Sequence, residues 1–326
     1  MAGNNIQQRV LCLRFSALGD AAIAAVVIQA CAADNPQVHF VFAGPPLTAP
    51  LFHGLQNVSF LPIDTTVPLR TIYSALKKTN PTHVADLHSV LRTFLLRTVF
   101  FFRGLPVAFL HKGRRARRKM LAQPVASAPL RPVYLRYADT LKRLGFATPS
   151  LSKVQVIPFR PRPWKQVGVA PFARHRGKQW EPERMHKVAL WLAEQGTQVL
   201  LFGGGGREAA LLERWTKDHQ NISLAPERFD LQFQAVAALD VMISMDSANM
   251  HFASALGVPV LSLWGATHPK AGFYGYGQPI NRAIQLPLDC RPCSIYGAGK
   301  CHKGTYACLE DLTVEHVLSS IKAYET

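Results

Sequence analysis

The sequence predicts an α/β protein made of two doubly wound, Rossmann-like parallel-sheet domains that face a central cleft. Two observations carry this prediction. Short apolar, β-branched runs alternate with longer helical patterns along all 326 residues, the mark of βαβ crossovers. Midway, the stretch IPFRPRPWKQ (157–166) holds three prolines and no helical periodicity, which reads as a linker. Domains are therefore expected at 1–160 and 161–326, with the last helix packing back on the first. Length allows two separate cores.

In the first half the strand pattern falls at 10–15, 38–42, 58–61, 83–86 and 107–110. In the second half it falls at 167–171, 198–202, 222–224, 241–244 and 260–263. In such sheets ligands bind beyond the carboxyl ends of the strands, so the loops that follow them are the places to look for chemistry.

The first strand runs into RFSALGDAAIAA. Gly19 gives the tight loop backbone freedom, and Asp20 opens the next helix. Asp20 reads either as a helix-start acid offsetting the dipole or as a reactive carboxylate. The loop lacks the glycines of a G-x-G-x-x-G fingerprint, which argues against a nicotinamide-dinucleotide domain.

The second half opens with VGVAPFARHRGKQW. Arg174, His175, Arg176 and Lys178 sit on a loop after a strand, where cationic groups suit a pyrophosphate. Next, LLFGGGGREAALLE places four glycines between a strand and a helix; the run is either a close backbone approach to a ligand or a plain turn. The most informative stretch is DVMISMDSANMHFASALGVPVLSLWGATHP (240–269). Asp246 and Ser247 mark the end of a strand and the start of a helix, a position that meets ribose and phosphate, with His251 one turn on.

Charge is unevenly shared. Residues 1–165 hold 22 Lys/Arg against 5 Asp and no Glu, whereas residues 166–326 hold 15 basic and 15 acidic residues. The basic half expects an anionic partner. Within it, DLHSVLRTFLLRTVFFFRGLPVAFLHKGRRARRKM (86–120) combines Asp86, His88 and Arg92 at a strand end with an aromatic run and the cations Lys112, Arg114 and Arg115. The aromatics are expected to be core, and the basic run functional, meeting nucleic acid, an anionic membrane surface or a phosphorylated substrate. The N-terminus lacks the basic-then-apolar layout of a secretory signal. Arg92, Arg97 and Arg103 interrupt the most apolar stretch, so a cytoplasmic protein is expected.

Six cysteines are present. Cys12 and Cys31 read as core. Cys290, Cys293, Cys301 and Cys308 contain one C-x-x-C, and zinc, free thiols or a disulfide are the alternatives.

Taken in order, RFSALGD, DLHSVLR, KGRRARR, RHRGKQW and DSANMHFASALGVPVLSLWGATHP resemble the ADP-heptose:lipopolysaccharide heptosyltransferases of glycosyltransferase family 9. The resemblance implies a GT-B fold and an inverting transfer, independent of metal and cofactor, from an ADP-sugar to a lipopolysaccharide-core glycolipid. It implies Asp20 as general base, Lys178 on the donor diphosphate, and Asp246, Ser247, Ala248 and His251 as the donor segment. It also makes 86–120, with Asp86, His88, Arg92, Lys112, Arg114 and Arg115, the side that meets a phosphorylated glycolipid acceptor at an anionic membrane. Ala248 stands where the family often has glycine, and Glu208 is the nearest candidate for the nucleotide-contacting glutamate. No Asp-x-Asp pair occurs. The enzyme is then expected to act as a monomer at the inner face of the inner membrane, without nucleic acid. The competing readings are a non-hydrolysing sugar-nucleotide epimerase of the same fold and a basic nucleic-acid-binding protein; the first wants more carboxylates than the basic half supplies, and the second has no recognition motif.

Overall fold

Strand β1 (Gln8–Leu13), apolar and buried from Val10 onward, is the central strand of a five-stranded sheet. The computed structural model describes residues 8–152, 156–159, 161 and 163–324. They divide into two units: Met1–Gly113 with Arg131–Gln155, and Arg114–Leu130 with Val156–Thr326.

In the first unit β1 leads to α1 (Leu18–Asp34), whose alanine-rich sequence favours helix and permits burial on nearly all sides. The chain continues through β2 (Val38–Gly44), β3 (Val58–Pro62), α2 (Leu69–Lys78), β4 (His83–Asp86), α3 (Leu91–Phe102) and β5 (Val107–Phe109). It then forms α4 (Arg114–Ala122), which belongs to the second unit, and returns with α5 (Val133–Lys142). All strand pairs are parallel, in the order β3-β2-β1-β4-β5. Helix α2 turns Ile72 and Leu76 inward, and Lys77 and Lys78 in its last turn complement the helix dipole. These join Leu11, Leu13, Val41, Val84, Leu96 and Phe100 in one core.

The second unit runs β6 (Gln166–Ala170), α6 (Pro182–Glu194), β7 (Gln198–Leu201), α7 (Arg207–Trp215), β8 (Ile222–Leu224), α8 (Phe229–Ala237), β9 (Val241–Met245), α9 (Ala248–Ala255), β10 (Val260–Leu263), β11 (Ala283–Ile284), α10 (Ala307–Glu310) and α11 (Val314–Lys322). Its six parallel strands are ordered β11-β10-β9-β6-β7-β8. Pro182 at the first turn of α6, with no N–H to satisfy, starts that helix cleanly. Helix α11 buries Val317 and Ile321 in this unit's own core and lies against α6, which is where the last helix finds its apolar partner.

Three sequence expectations look different in the fold. Of the aromatic run, Phe100 is core, but Phe94, Leu95, Val99, Phe101 and Phe102 are exposed. Covering the sheet takes only one stripe of α3, and Thr93, Leu96 and Phe100 supply it. The basic helix α4 does not stay with the basic half. Met120 packs with Ala271 and Ile295, and buried Arg117 lies against the touching rings of Phe273 and Tyr296, its guanidinium 5.1 and 5.7 Å from their centroids. The proline-rich stretch is not free either. Phe159 stacks on Tyr324 at 4.2 Å and Trp164 is buried, while Arg160 and Arg162 lie outside the described residues.

Loops after β10 and β11 carry little regular structure, and one buried side chain gathers them. Arg291 donates to the carbonyls of Gly265, Leu286 (2.6 Å), Thr267 (2.9 Å) and Trp264 (3.1 Å) and to Gln285 Oε1 (3.0 Å). Replacing it strands several buried acceptors at once. Arg291→Met is expected to lower stability by roughly 3 kcal/mol, read as a fall in the urea midpoint; an unchanged midpoint would mean that water takes over those carbonyls.

Candidate functional site

Doubly wound sheets bind ligands where the strand order reverses. In the first unit that point lies between β1 and β4, and in the second between β6 and β9. Most of the side chains singled out from the sequence follow one of these four strands.

After β1 the chain turns through Ser16 and Ala17, and Asp20 falls in the first turn of α1. It is not the helix cap; Ala17 holds that position without a side-chain bond. Asp20 Oδ2 is paired with the Arg14 guanidinium, and Tyr137 Oη donates to Oδ1 at 3.3 Å. Arg14, itself buried, also donates to Leu87 O at 2.9 Å. A carboxylate offers about four lone-pair sites, so two donors fix Asp20 and leave it able to accept another hydrogen bond.

After β4, the predicted acceptor residues separate into different roles. Asp86 is fully buried: Oδ2 pairs with Arg97 at 2.9 Å and Oδ1 accepts from the N–H groups of His88 and Ser89 at 3.0 and 2.8 Å. Its carboxylate is committed to shaping the loop. His88 is buried beside Phe15, with Nε2 3.2 Å from Ser16 Oγ. Burial, then the charges of Arg14 and Lys112, lower its pKa to about 3 against a smaller opposite pull from Asp20, so His88 is uncharged at neutral pH. Arg92 donates to Thr65 O. The carbonyl of Lys112 accepts from buried Arg136 at 2.8 Å. Arg114 and Arg115 are exposed on α4, in the other unit.

In the second unit, β6 is followed by the loop carrying Arg174 and by a single 3-10 turn, Arg176–Lys178. Lys178 Nζ lies 3.0 Å from Asp246 Oδ1, and the buried hydroxyl of Thr267 donates to Asp246 Oδ2 at 2.7 Å. The lysine stem runs over Gly297, where an added Cβ would come within 2.3 Å of Lys178 Cγ; at Gly177 a Cβ would meet Gly297 O at 2.8 Å. Gly177 O in turn accepts from Ala266 N–H at 2.7 Å. Small residues from three loops thus make the slot that directs the ammonium. Arg176 is turned elsewhere, paired with Glu310 and placed over the Tyr306 ring at 4.7 Å. Arg174 is exposed.

Ser247 is the N-cap of α9, its Oγ 3.2 Å from that of Ser244, and Ala248 is the first helical residue. His251 is buried on the same helix. The free N–H groups at this helix start lie next to Asp246 in the chain, a natural phosphate seat. Glu208 sits in the first turn of α7 and accepts from Gly204 N–H at 2.7 Å, tying down the glycine run.

All four C-terminal cysteines are free thiols. Burial is the largest single influence on Cys301 and raises its pKa, but the backbone N–H groups of Tyr306, Lys303, Gly304 and Thr305 together outweigh it and leave the thiol lowered, while burial raises that of Cys308 to about 11. Among the described residues no set of three or more His, Cys, Asp or Glu side chains is arranged to hold a metal ion. The zinc reading of Cys290, Cys293, Cys301 and Cys308 therefore gains no support from the geometry.

Sequence reasoning missed Tyr137 and Gly297, which reach the sites from far along the chain and carry no local signal. Arg14 and Thr267 lay inside the quoted motifs, but their roles are visible only from contacts.

The family model described as glycosyltransferase family 9 (heptosyltransferase) matches residues 118–296, more than half of the chain. Lipooligosaccharide heptosyltransferase 2 of Campylobacter jejuni is 27% identical over 169 residues, 50% of this chain and 52% of the relative. The chain thus spans about half the length of the curated relatives it matches. Among solved structures, Escherichia coli heptosyltransferase WaaC with ADP-2-deoxy-2-fluoro heptose has a TM-score of 0.67 at 17% identity, covering 97% of this chain and 99% of that one. A glycosyltransferase family 9 structure from Veillonella parvula has a TM-score of 0.72 at 15% identity, covering 98% and 97%. The shared architecture is the GT-B fold, two α/β units with parallel sheets of five and six strands. By its matched sequence and its fold, the chain belongs to glycosyltransferase family 9.

Proposed function

We propose that this protein transfers a heptose, with inversion, from ADP-heptose to a lipopolysaccharide-core glycolipid presented at an anionic membrane surface. The observation that carries the reading is the Lys178–Asp246–Thr267 cluster beside the α9 helix start, at the point where the second sheet reverses its strand order. WaaC, solved with ADP-2-deoxy-2-fluoro heptose, supports the choice of donor.

In this reading the acceptor oxygen attacks the anomeric carbon as the bond from that carbon to the diphosphate breaks. The bonding pair leaves on the diphosphate, and the acceptor proton passes to the Asp20 carboxylate. Lys178 and the N–H groups at Ser247 and Ala248 stabilise the charge that develops on the departing ADP, where preorganised donors contribute most. Arg14 and Tyr137 hold Asp20 in place. His88, uncharged, orients Ser16 and the loop, and recognition of acceptor phosphates falls to Lys112, Arg114 and Arg115. The membrane is reached from the aqueous side, since no helix among the described residues is long and apolar enough to cross it.

The direct test is ADP release on incubation with ADP-heptose and heptose-deficient lipopolysaccharide, with and without chelator. Absence of release, or release abolished by chelator, overturns the reading. Asp20→Asn is expected to lower kcat by about 10²- to 10⁴-fold with donor Kd unchanged, measured by calorimetry and single turnover. Lys178→Met is expected to weaken ADP-heptose binding by about 10- to 100-fold, the worth of one charge-assisted hydrogen bond.

The buried imidazole adds a pH dependence. Unfolded, His88 takes up a proton near pH 6.5; folded, it does so only near 3. The unfolded chain thus binds more protons in that window, and stability falls as pH drops from about 6.5 towards 3. His88→Gln should flatten the fall, seen by comparing urea midpoints at pH 7 and pH 4.5. Part of the slope will remain, because burial beside Arg291 and Lys270 also lowers His268, to about 4.

A further inference from the structure

Helix α3 is apolar on two faces. Thr93, Leu96 and Phe100 point into the core of the first unit. Leu91, Phe94, Leu95, Val99 and Phe102 recur every three or four residues on the outer side, with Phe101 flanking them, and all are exposed. Leu91 is 75%, Phe101 62% and Phe102 82% exposed. Scattered surface apolar residues need no explanation, but a continuous apolar stripe along a whole helix marks an interaction surface.

The surroundings say what kind. Between Thr65 and Ala138 the sequence has a single acidic residue, Asp86. That residue is buried and neutralised by Arg97. Helix α2, which packs beside α3, exposes Arg70, Lys77 and Lys78, and Arg103 closes the end of α3. Cations thus border the stripe; the exposed Asp64, just before that stretch, accepts from the N–H and hydroxyl of Thr66 in the loop that Arg92 meets. A second copy of the chain would bring the same positive charge to the contact. A bilayer with anionic headgroups matches both the apolar stripe and its basic border.

We propose that α3 is the element by which this protein seats on an anionic membrane leaflet. Twelve residues span about 18 Å, too short to cross a bilayer, so α3 lies in its plane. Its outer stripe enters the headgroup–acyl boundary to about 5–10 Å, and the arginines and lysines beside it stay at headgroup level. The inference deepens the proposed function by naming the surface that meets the membrane. It is read without donor or acceptor, so the two ideas fail separately.

The test uses the full chain and sedimentation with vesicles of phosphatidylcholine, alone or with 30% phosphatidylglycerol. Binding to the anionic vesicles and little to the neutral ones is expected, weakening as salt rises. The double variant Phe101→Gln/Phe102→Gln should lose at least about tenfold in partitioning, and Arg70→Gln/Lys77→Gln/Lys78→Gln, which removes three cations from the surface, about 100-fold. Both should keep the wild-type urea midpoint and wild-type turnover of a water-soluble core oligosaccharide. Equal binding to both vesicle types, or wild-type partitioning by the aromatic variant, overturns the proposal. So does a concentration-dependent dimer in the wild-type chain that the aromatic variant abolishes, which would make the stripe a protein interface.

Discussion

Strand order is the constraint on which everything else in this chain depends. A parallel strand can be followed by its neighbour only through a crossover connection, and at one point in each sheet consecutive crossovers leave in opposite directions. That leaves a gap above β1 and β4 in one sheet and above β6 and β9 in the other. Asp20, His88, Lys178 and Asp246 come from the loops that open onto those gaps. The chemistry needs no special device to bring them there; it needs only the right residue types in four loops.

Those loops would be unstable as bare polar segments, and the structure handles this by pairing. Arg14 holds Asp20, Arg97 holds Asp86, and Lys178 with Thr267 holds Asp246. Arg291 does the same for a set of carbonyls. Removing one member of such a buried set costs more than the set contributes as a whole, because the survivor is left unsatisfied. Pairing of this kind fixes conformation more than it adds stability.

Most of the architecture was legible in the sequence because buried parallel strands are continuous apolar runs, and ten of the eleven strands could be placed that way. The eleventh, Ala283–Ile284, is two residues long and leaves no periodicity to find. Charge was a poorer guide. It placed α4 with the basic half, whereas Met120 and Arg117 anchor it in the second unit. Composition likewise assigned the aromatics of α3 to the core, because a mean cannot tell which of two apolar faces is covered. At the site, residue types were readable but commitments were not. Asp86 and Asp20 both follow β-strands in the sequence, yet only contacts with Arg97 and two backbone N–H groups show Asp86 to be fully engaged.

The lysine in its glycine slot has one further consequence. Lys178 faces the carboxylate of Asp246. An arriving phosphate must compete with Asp246 for that ammonium, so a single loosely held anion gains little by entering. A ligand that also reaches the helix start and brings a nucleoside and a sugar can exceed that threshold. Under the proposed function the ion pair is therefore a discriminator, setting a minimum size and valency for the anion that settles there.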